Sequence, residues 1–104
     1  MPRRKSDLRL SNIEGYLSQI NKNTSADTII KFKTRAARCL SSVGDKKNLN
    51  NGLGLYREAY ELQCEIRGSM DPRTLNILKL IIEGEKKLEH LKKIEKKLKE
   101  KSDN

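Results

Sequence analysis

The residues that could support catalysis or hold a metal are few in this chain, and they stand apart from one another. His90 is the only histidine among 104 residues, and lysines and glutamates surround it. A zinc site needs several Cys or His ligands at short spacings, and none accompanies His90. The sequence also lacks a Gly-rich phosphate loop and a nucleophile elbow. We therefore predict no enzymatic activity, no metal and no cofactor, with His90 on the surface.

The two cysteines, Cys39 and Cys64, each fall within a helical pattern. Two interpretations are open for them. They are either reduced, buried thiols or the two halves of a disulfide that joins neighbouring helices. We favour reduced thiols, because disulfides are rare in small intracellular proteins.

Basic side chains are the other chemically distinctive residues, and they concentrate at the two ends of the chain. The formal net charge is +9. Residues 1–9 carry four basic and one acidic side chain, residues 10–84 carry eleven and eight, and residues 85–101 carry eight and four. A nearly balanced middle with basic ends is typical of a folded body with solvated arms. We predict a basic arm at 1–5, a helical body at 6–84 and a Lys-rich helical tail at 85–104.

Three interpretations of the lysine tail remain. Glu89–Lys93 and Glu95–Lys99 pairs support an ordinary solvated helix, which is the default. The second interpretation is a coiled coil whose seam consists of leucines and isoleucines, although Gly84 and Glu95 interrupt this seam. The third is electrostatic attraction to nucleic acid, anionic lipid or acidic protein, although the tail has no aromatic residue to stack on bases. The polyanion-binding candidates are Arg3, Arg4, Lys5, Lys86, Lys87, Lys92, Lys93, Lys96 and Lys97.

Composition and apolar spacing predict an all-α fold. Charged residues make up 36% of the chain and hydrophobic residues 35%, a balance that suits helices with one apolar stripe each. No apolar run is long enough to span a membrane, and the basic start lacks the apolar stretch of a secretory signal. We predict helices over residues 7–21, 26–43, from Leu49 or Asn51 to Arg67, and from Pro72 onward.

Short-range signals set the ends of these helices. Ser6 or Ser11 is a candidate cap for the first helix, and Ser25 or Asp27 for the second, which Gly44 then ends. Asp71 before Pro72 is the clearest helix start in the chain. After Gly84 the chain either forms another hairpin arm or continues as one long helix. We favour the long helix, because no helix-breaking residue follows.

The stretch from residue 55 to residue 75 carries a recognisable pattern. It consists of Leu55, Tyr56, Glu58, Ala59, Glu61, Leu62, Gly68, Pro72, Thr74 and Leu75, with Ala36, Cys39, Leu40 and Val43 upstream. Over residues 30–82 this pattern resembles the tetratricopeptide repeat, in the longer form found in kinesin light chains. The turn glycine of the family falls on Lys47, which is a departure. An unrelated antiparallel helical bundle that uses Asp-Pro and Gly to end its helices is the alternative.

The resemblance implies stacked antiparallel helical hairpins with a groove lined by the first helix of each hairpin. Its partner-binding residues here are Arg35, Arg38, Asn76 and Lys79, and Asn76 matches the groove Asn of the family. A basic groove of this kind selects an acidic or extended peptide. The chain holds about one and a half repeats, fewer than the roughly three that a stable stack needs. A partner, self-association or the first helix must then cover the exposed end.

The sequence therefore predicts a small cytoplasmic or nuclear interaction protein, an adaptor or an assembly subunit, that binds a partner protein through this helical surface. The alternative is a basic helical protein that binds nucleic acid or another polyanion through its Lys/Arg-rich ends. A homo-oligomer formed through the C-terminal helix is a further option.

Overall fold

The computed structural model describes residues 13–102, and this part of the chain is helical with no β-strand. The helices are α1 (residues 13–18), α2 (Ala26–Val43), α3 (Lys46–Arg67) and α4 (Pro72–Ser102). The predicted all-α fold with a long basic C-terminal helix is confirmed. The basic arm at 1–5 lies outside the described residues. Among the helices at 13–102, none combines the length and apolarity that crossing a membrane requires.

Helix α2 has the predicted bounds because both of its ends are specified locally. The backbone N–H of Thr28 donates to Ser25 Oγ at 3.3 Å, which caps the N-terminus. At the other end Gly44 adopts a φ of 84°, the left-handed conformation that ends a helix at low cost for glycine.

Helix α3 begins earlier than predicted, at Lys46 instead of Leu49 or Asn51. Asp45 is its N-cap, and its carboxylate accepts hydrogen bonds from the backbone and the side-chain amide of Asn48, at 2.8 and 2.9 Å. These two hydrogen bonds stabilise the first turn of α3, although the helix-weakening residues Gly52 and Gly54 follow. Residues 45–48, which precede the predicted start, are therefore the cap and the first turn of the helix.

Helix α1 ends at residue 18, before the predicted Asn21. Beyond it the backbone makes isolated turn hydrogen bonds, such as that from the Ile20 N–H to the Leu17 carbonyl at 3.2 Å, and hydrogen bonds to side chains. The N–H of Asn23 donates to Asn21 Oδ1 at 2.8 Å, and the N–H of Asn21 donates to Thr24 Oγ1 at 2.9 Å. Asn and Thr compete with the helix in this way, which explains the early end. Residues 7–12 of the predicted helix lie outside the described range.

Helix α4 starts at the Asp71–Pro72 step as predicted. Asp71 accepts from the backbone N–H of Arg73 at 2.8 Å, and the buried Thr74 hydroxyl donates to the Gly68 carbonyl at 2.8 Å. These two bonds fix the turn between α3 and α4. The helix then runs to Ser102 without a break at Gly84. Gly84 is a packing position, because a Cβ there would lie 2.7 Å from Leu53 Cδ2.

The helices α2, α3 and α4 pack in sequence order, each antiparallel to the next. Between α2 and α3, ion pairs join Asp27 to Arg67 and Lys33 to Glu58. Further along, Gly52 of α3 approaches the Ala37 carbonyl of α2. Residue numbers therefore rise along α2 as they fall along α3, which makes the two helices antiparallel. The same reversal joins α3 to α4 through Arg57–Glu85 and Lys46–Glu95. The main core lies between these helices and contains Ile30, Ala37, Leu49, Leu53, Tyr56, Ala59, Ile77, Ile81 and Leu88.

A smaller apolar cluster attaches α1 to the body. Ile13 packs with Ala36 and Leu40 of α2, and the rings of Tyr16 and Phe32 stack with their centroids 6.2 Å apart. Helix α1 thus covers the face of α2 and α3 that points away from α4. The cysteines take no part in a disulfide: Cys39 and Cys64 are free, half-buried thiols.

Candidate partner-binding cleft

A cleft of about 310 Å³ lies between α2 and α4, with α3 beneath it. Helix α2 contributes one wall and helix α4 the other, and Gln63 of α3 lies at the floor. The cleft is open to solvent, so an extended segment could enter it from outside. Its lining residues are Ile30, Lys31, Thr34, Arg35, Arg38, Gln63, Arg73, Asn76 and Ile77.

Close packing beneath the cleft sets the distance between its walls. Ala37 and Ala59 are fully buried in the main core, and Gly52 lies so near α2 that a Cβ would be 3.1 Å from the Ala37 carbonyl oxygen. Small residues at these positions let α2 and α3 approach closely. Thr74, also fully buried, ties the start of α4 to the end of α3. The two walls are therefore held by the core and by the turn.

The cleft is strongly electropositive. Four of its nine lining residues are cationic, Lys31 and Arg35 and Arg38 on α2 and Arg73 on α4, and none is acidic. Within residues 13–102 the ion pairs use other cations, so none of these four is neutralised by a carboxylate of the described chain. Unpaired positive charges in a concave surface concentrate anions there. This cleft thus favours an anionic occupant.

Spacing places the cations of α2 in one row along the wall. Lys31, Arg35 and Arg38 follow one another at intervals of four and three residues, which keeps them on one helix face over about 10 Å. Arg73 and Asn76 are three residues apart on α4 and make the facing row. Asn76 is exposed and adds an amide that can both donate and accept. Such a pair of rows matches an extended strand better than a compact small molecule.

Polar groups at the cleft floor are internally satisfied. Gln63 is only 5% exposed, and its Oε1 accepts from Arg67 Nη1 at 2.6 Å. The Thr34 hydroxyl donates to the Ile30 carbonyl at 2.6 Å. Among the described residues no buried side-chain nitrogen or oxygen lacks a hydrogen-bond partner. The floor is a structural base, and the groups available to a ligand are the charged side chains at the rims.

Arg38 connects the cleft to the core through Tyr56. Burial raises the pKa of the Tyr56 phenol, while the charge and hydrogen bond of Arg38 and the hydrogen bond of Ser41 lower it in part. Tyr56 is 4% exposed, so its hydroxyl can interact only with neighbouring protein groups such as Arg38 and Ser41. Arg38 is thus the cleft cation whose charge acts on the Tyr56 phenol.

Three of the four residues predicted to bind a partner lie together in this cleft: Arg35, Arg38 and Asn76. Lys79 is exposed on α4 but is not among the lining residues. Sequence reasoning missed Lys31, Arg73 and Gln63. Helical spacing could have found the two cations, since Lys31 lies four residues before Arg35 and Arg73 three residues before Asn76. Only the packing of α3 could have indicated Gln63.

The predicted polyanion-binding residues that the structure describes lie on α4. Lys86, Lys87, Lys92, Lys93, Lys96 and Lys97 are all exposed. Arg3, Arg4 and Lys5 lie outside the described residues. His90 is exposed, and with Lys87 and Leu91 it lines a separate hollow beside the C-terminus of α2. Residues 13–102 contain no cluster of three or more side chains suited to hold a metal ion.

Comparisons of the chain with protein-family models, with curated protein sequences and with solved structures found no match.

Proposed function

We propose that this protein is a small adaptor or assembly subunit, without catalytic activity, that binds an acidic extended segment of a partner protein in the cleft between α2 and α4. The observation that carries this proposal is the charge of the cleft: four cations and no carboxylate line it. The resemblance to the tetratricopeptide repeat supports the same surface, because it assigns partner binding to the first helices of the hairpins. We expect the protein to act in the cytoplasm or the nucleus.

The chemistry of the walls defines the segment that fits. Arginine guanidinium groups donate paired hydrogen bonds to a carboxylate, and each such charge-assisted bond contributes about 1.5–3 kcal/mol. Arg35 and Arg38 on one wall and Arg73 on the other can each receive one acidic side chain. Asn76 can bind the backbone of the segment through its amide. The preferred ligand therefore carries several Asp or Glu residues in an extended conformation.

The test compares two variants that change the charge of the protein equally. Arg35→Glu with Arg38→Glu alters the cleft, and Lys96→Glu with Lys97→Glu alters the tail. A fluorescein-labelled decapeptide of alternating Glu and Gly serves as the probe, and its anisotropy reports binding. We expect the cleft variant to bind at least about tenfold more weakly, since two charge-assisted bonds are lost. The tail variant should stay within about twofold of the parent chain. Circular dichroism must show equal helicity for all three proteins.

Equal binding by the cleft variant and the parent would overturn the proposal. A pull-down from native lysate treated with nuclease and washed at high salt extends the test to natural partners. A defined protein that the parent and the tail variant retain, and that the cleft variant loses, would support the adaptor function.

A second candidate function is the binding of nucleic acid or another polyanion through the tail. The exposure of all six predicted tail lysines favours it. Binding of this kind releases counterions, so the affinity falls steeply as the salt concentration rises. The slope of log affinity against log salt concentration is proportional to the number of phosphates that the protein contacts. With a labelled single-stranded RNA as probe, Lys96→Glu with Lys97→Glu should weaken binding and flatten its salt dependence. The cleft variant should leave this binding nearly unchanged if the two functions are separate.

A further inference from the structure

Helix α4 carries two apolar stripes, and within residues 13–102 only the inner one is buried against another helix. The inner stripe contains Ile77, Ile81 and Leu88, which are buried against α3. The outer stripe contains Leu75, Leu78 and Ile82, at intervals of three and four residues. Leu75 is 42% exposed, Ile82 is 45% exposed, and Leu78 is half-buried. Because each residue turns the helix by 100°, the stripes lie about a third of a turn apart.

The outer stripe is distinct from the cleft. Arg73 and Asn76 line the cleft and lie on one side of the inner stripe, whereas Leu75, Leu78 and Ile82 lie on the other side. None of these three apolar residues lines the cleft. An apolar stripe that reaches solvent along two helical turns is typical of a surface that meets another helix.

The charge around this stripe indicates which helix it meets. On the side of α4 that carries the outer stripe, residues 71–86 hold two acidic side chains, Asp71 and Glu85, and two basic ones, Lys79 and Lys86, in a chain with a formal net charge of +9. Residues 87–101 carry seven lysines and three glutamates. The neutral segment is a face on which a second copy of this basic chain can approach without strong repulsion. An anionic partner would gain little here compared with the cleft or the tail.

Spacing makes the stripe complementary to itself. Leu75 and Ile82 lie three residues before and four residues after Leu78, so the pattern reads almost the same in both directions. Two such helices in antiparallel contact place Leu78 against Leu78 and Leu75 against Ile82. Asp71 lies seven residues before Leu78, and Glu85 and Lys86 lie seven and eight residues after it, so each Asp71 approaches Lys86 and Glu85 of the other copy, and the charge of Glu85 is already paired with Arg57. A two-fold interface requires this kind of self-complementarity.

Electrostatics also selects the antiparallel orientation. A parallel pair would hold the two lysine-rich tails side by side. In an antiparallel pair centred on Leu78, each Lys96 lies about 27 Å from the centre, so the tails are about 54 Å apart. This separation is far beyond the screening length of about 8 Å at physiological salt. We infer that the outer stripe of α4, formed by Leu75, Leu78 and Ile82, binds a second copy of this chain with the two helices antiparallel.

The first experiment measures the mass of the full chain in solution by sedimentation equilibrium over a range of concentrations. We expect the parent to approach twice its chain mass of 12.0 kDa. Ile82→Glu should remain at the chain mass at every concentration. Ile94→Glu is the matched control, since Ile94 is the same residue type on the same helix at 40% exposure but lies outside the outer stripe. This control should keep the mass of the parent. A parent that stays monomeric at about 1 mM, or an Ile82→Glu variant that still dimerises, would overturn the inference.

The second experiment tests orientation by oxidation of single cysteines. In a chain with Cys39→Ser and Cys64→Ser, Leu78→Cys should form a disulfide-linked dimer under mild oxidation. Lys101→Cys in the same background should not, because the antiparallel arrangement separates the tails. Crosslinking of Lys101→Cys, or none at Leu78→Cys, would overturn the antiparallel pairing. Arg35→Glu with Arg38→Glu should leave dimerisation unchanged, so this inference and the proposed function can fail separately.

Discussion

The first and second halves of α4 both carry apolar residues at helical intervals but lie in very different surroundings. In the first half Ile77, Ile81 and Leu88 are between 5% and 8% exposed. In the second half Ile94 is 40% exposed and Leu98 is 63% exposed. The change occurs near the N-terminus of α3, whose first residue, Lys46, pairs with Glu95 at 3.1 Å. Apolar spacing thus predicts which face of a helix turns inward, whereas the length of its neighbour decides how far burial continues.

The two halves of α4 must therefore be stabilised differently. A buried Ile or Leu in the first half contributes about 1.5–3 kcal/mol of hydrophobic free energy. The second half gains little from burial and depends on local helix propensity. Its Lys and Glu residues are good helix formers, and pairs such as Glu89–Lys93 each add a few tenths of a kcal/mol. Core substitutions should then be costly in one half and nearly neutral in the other.

The largest expected effect is the loss of a core side chain in the first half. Ile81→Ala removes three carbons from a site that is 6% exposed, so the free energy of unfolding should fall by about 2–4 kcal/mol. Ile94→Ala, the matched change in the second half, should cost less than about 1 kcal/mol, because water already reaches the side chain. Urea denaturation followed by circular dichroism measures both values. Similar losses in the two variants would show that the halves do not differ in packing.

The all-α fold and the bounds of α2 could be predicted because their signals are local. Ser25, Gly44 and the Asp71–Pro72 step each act on the backbone within a few residues. The start of α3 was predicted too late because the hydrogen bonds through which Asp45 caps the helix were not anticipated. In the structure Gly52 is needed where α3 touches α2. Contacts between helices cannot be read from spacing within one helix.

The candidate cleft was predictable only in part for the same reason. Arg35, Arg38 and Asn76 were predicted from the family resemblance, and the structure brings them to one cleft. The same resemblance placed Lys79 with them, but Lys79 does not line that cleft. Whether a helix residue faces the cleft depends on how α4 is rotated against α3. That rotation is set by long-range contacts such as Gly84 with Leu53, which the local sequence does not encode.

A smaller change in stability is expected from replacing each of two glycines within one turn of α3, one packed against α2 and the other with open space around it. A Cβ at Gly52 would lie 3.1 Å from the Ala37 carbonyl oxygen, whereas a Cβ at Gly54 would have no atom within 4 Å. Both sites gain about 1 kcal/mol of helix propensity on change to Ala. We expect Gly54→Ala to stabilise the protein by about 0.5–1 kcal/mol. Gly52→Ala should destabilise it by about 1 kcal/mol, because a backbone oxygen of the packed helix cannot move aside cheaply. Thermal unfolding of the two variants gives the signs, and stabilisation by both would mean that α2 and α3 are not closely packed.

The smallest expected effect concerns the ion pair at the boundary between the two halves of α4. Lys46 and Glu95 are 45% and 57% exposed at their side chains, so water and salt screen most of their attraction. Surface pairs of this kind contribute about 0.2–1 kcal/mol. A double-mutant cycle with Lys46→Ala and Glu95→Ala should give a coupling energy near the lower end, about 0.3 kcal/mol, and close to zero in 1 M NaCl. Coupling above about 1 kcal/mol that persists in 1 M NaCl would mean that α3 holds the second half of α4 more firmly than its exposure indicates. The tail would then be a fixed extension of the body, and its lysines would be displayed on a rigid helix instead of one held mainly by its own backbone.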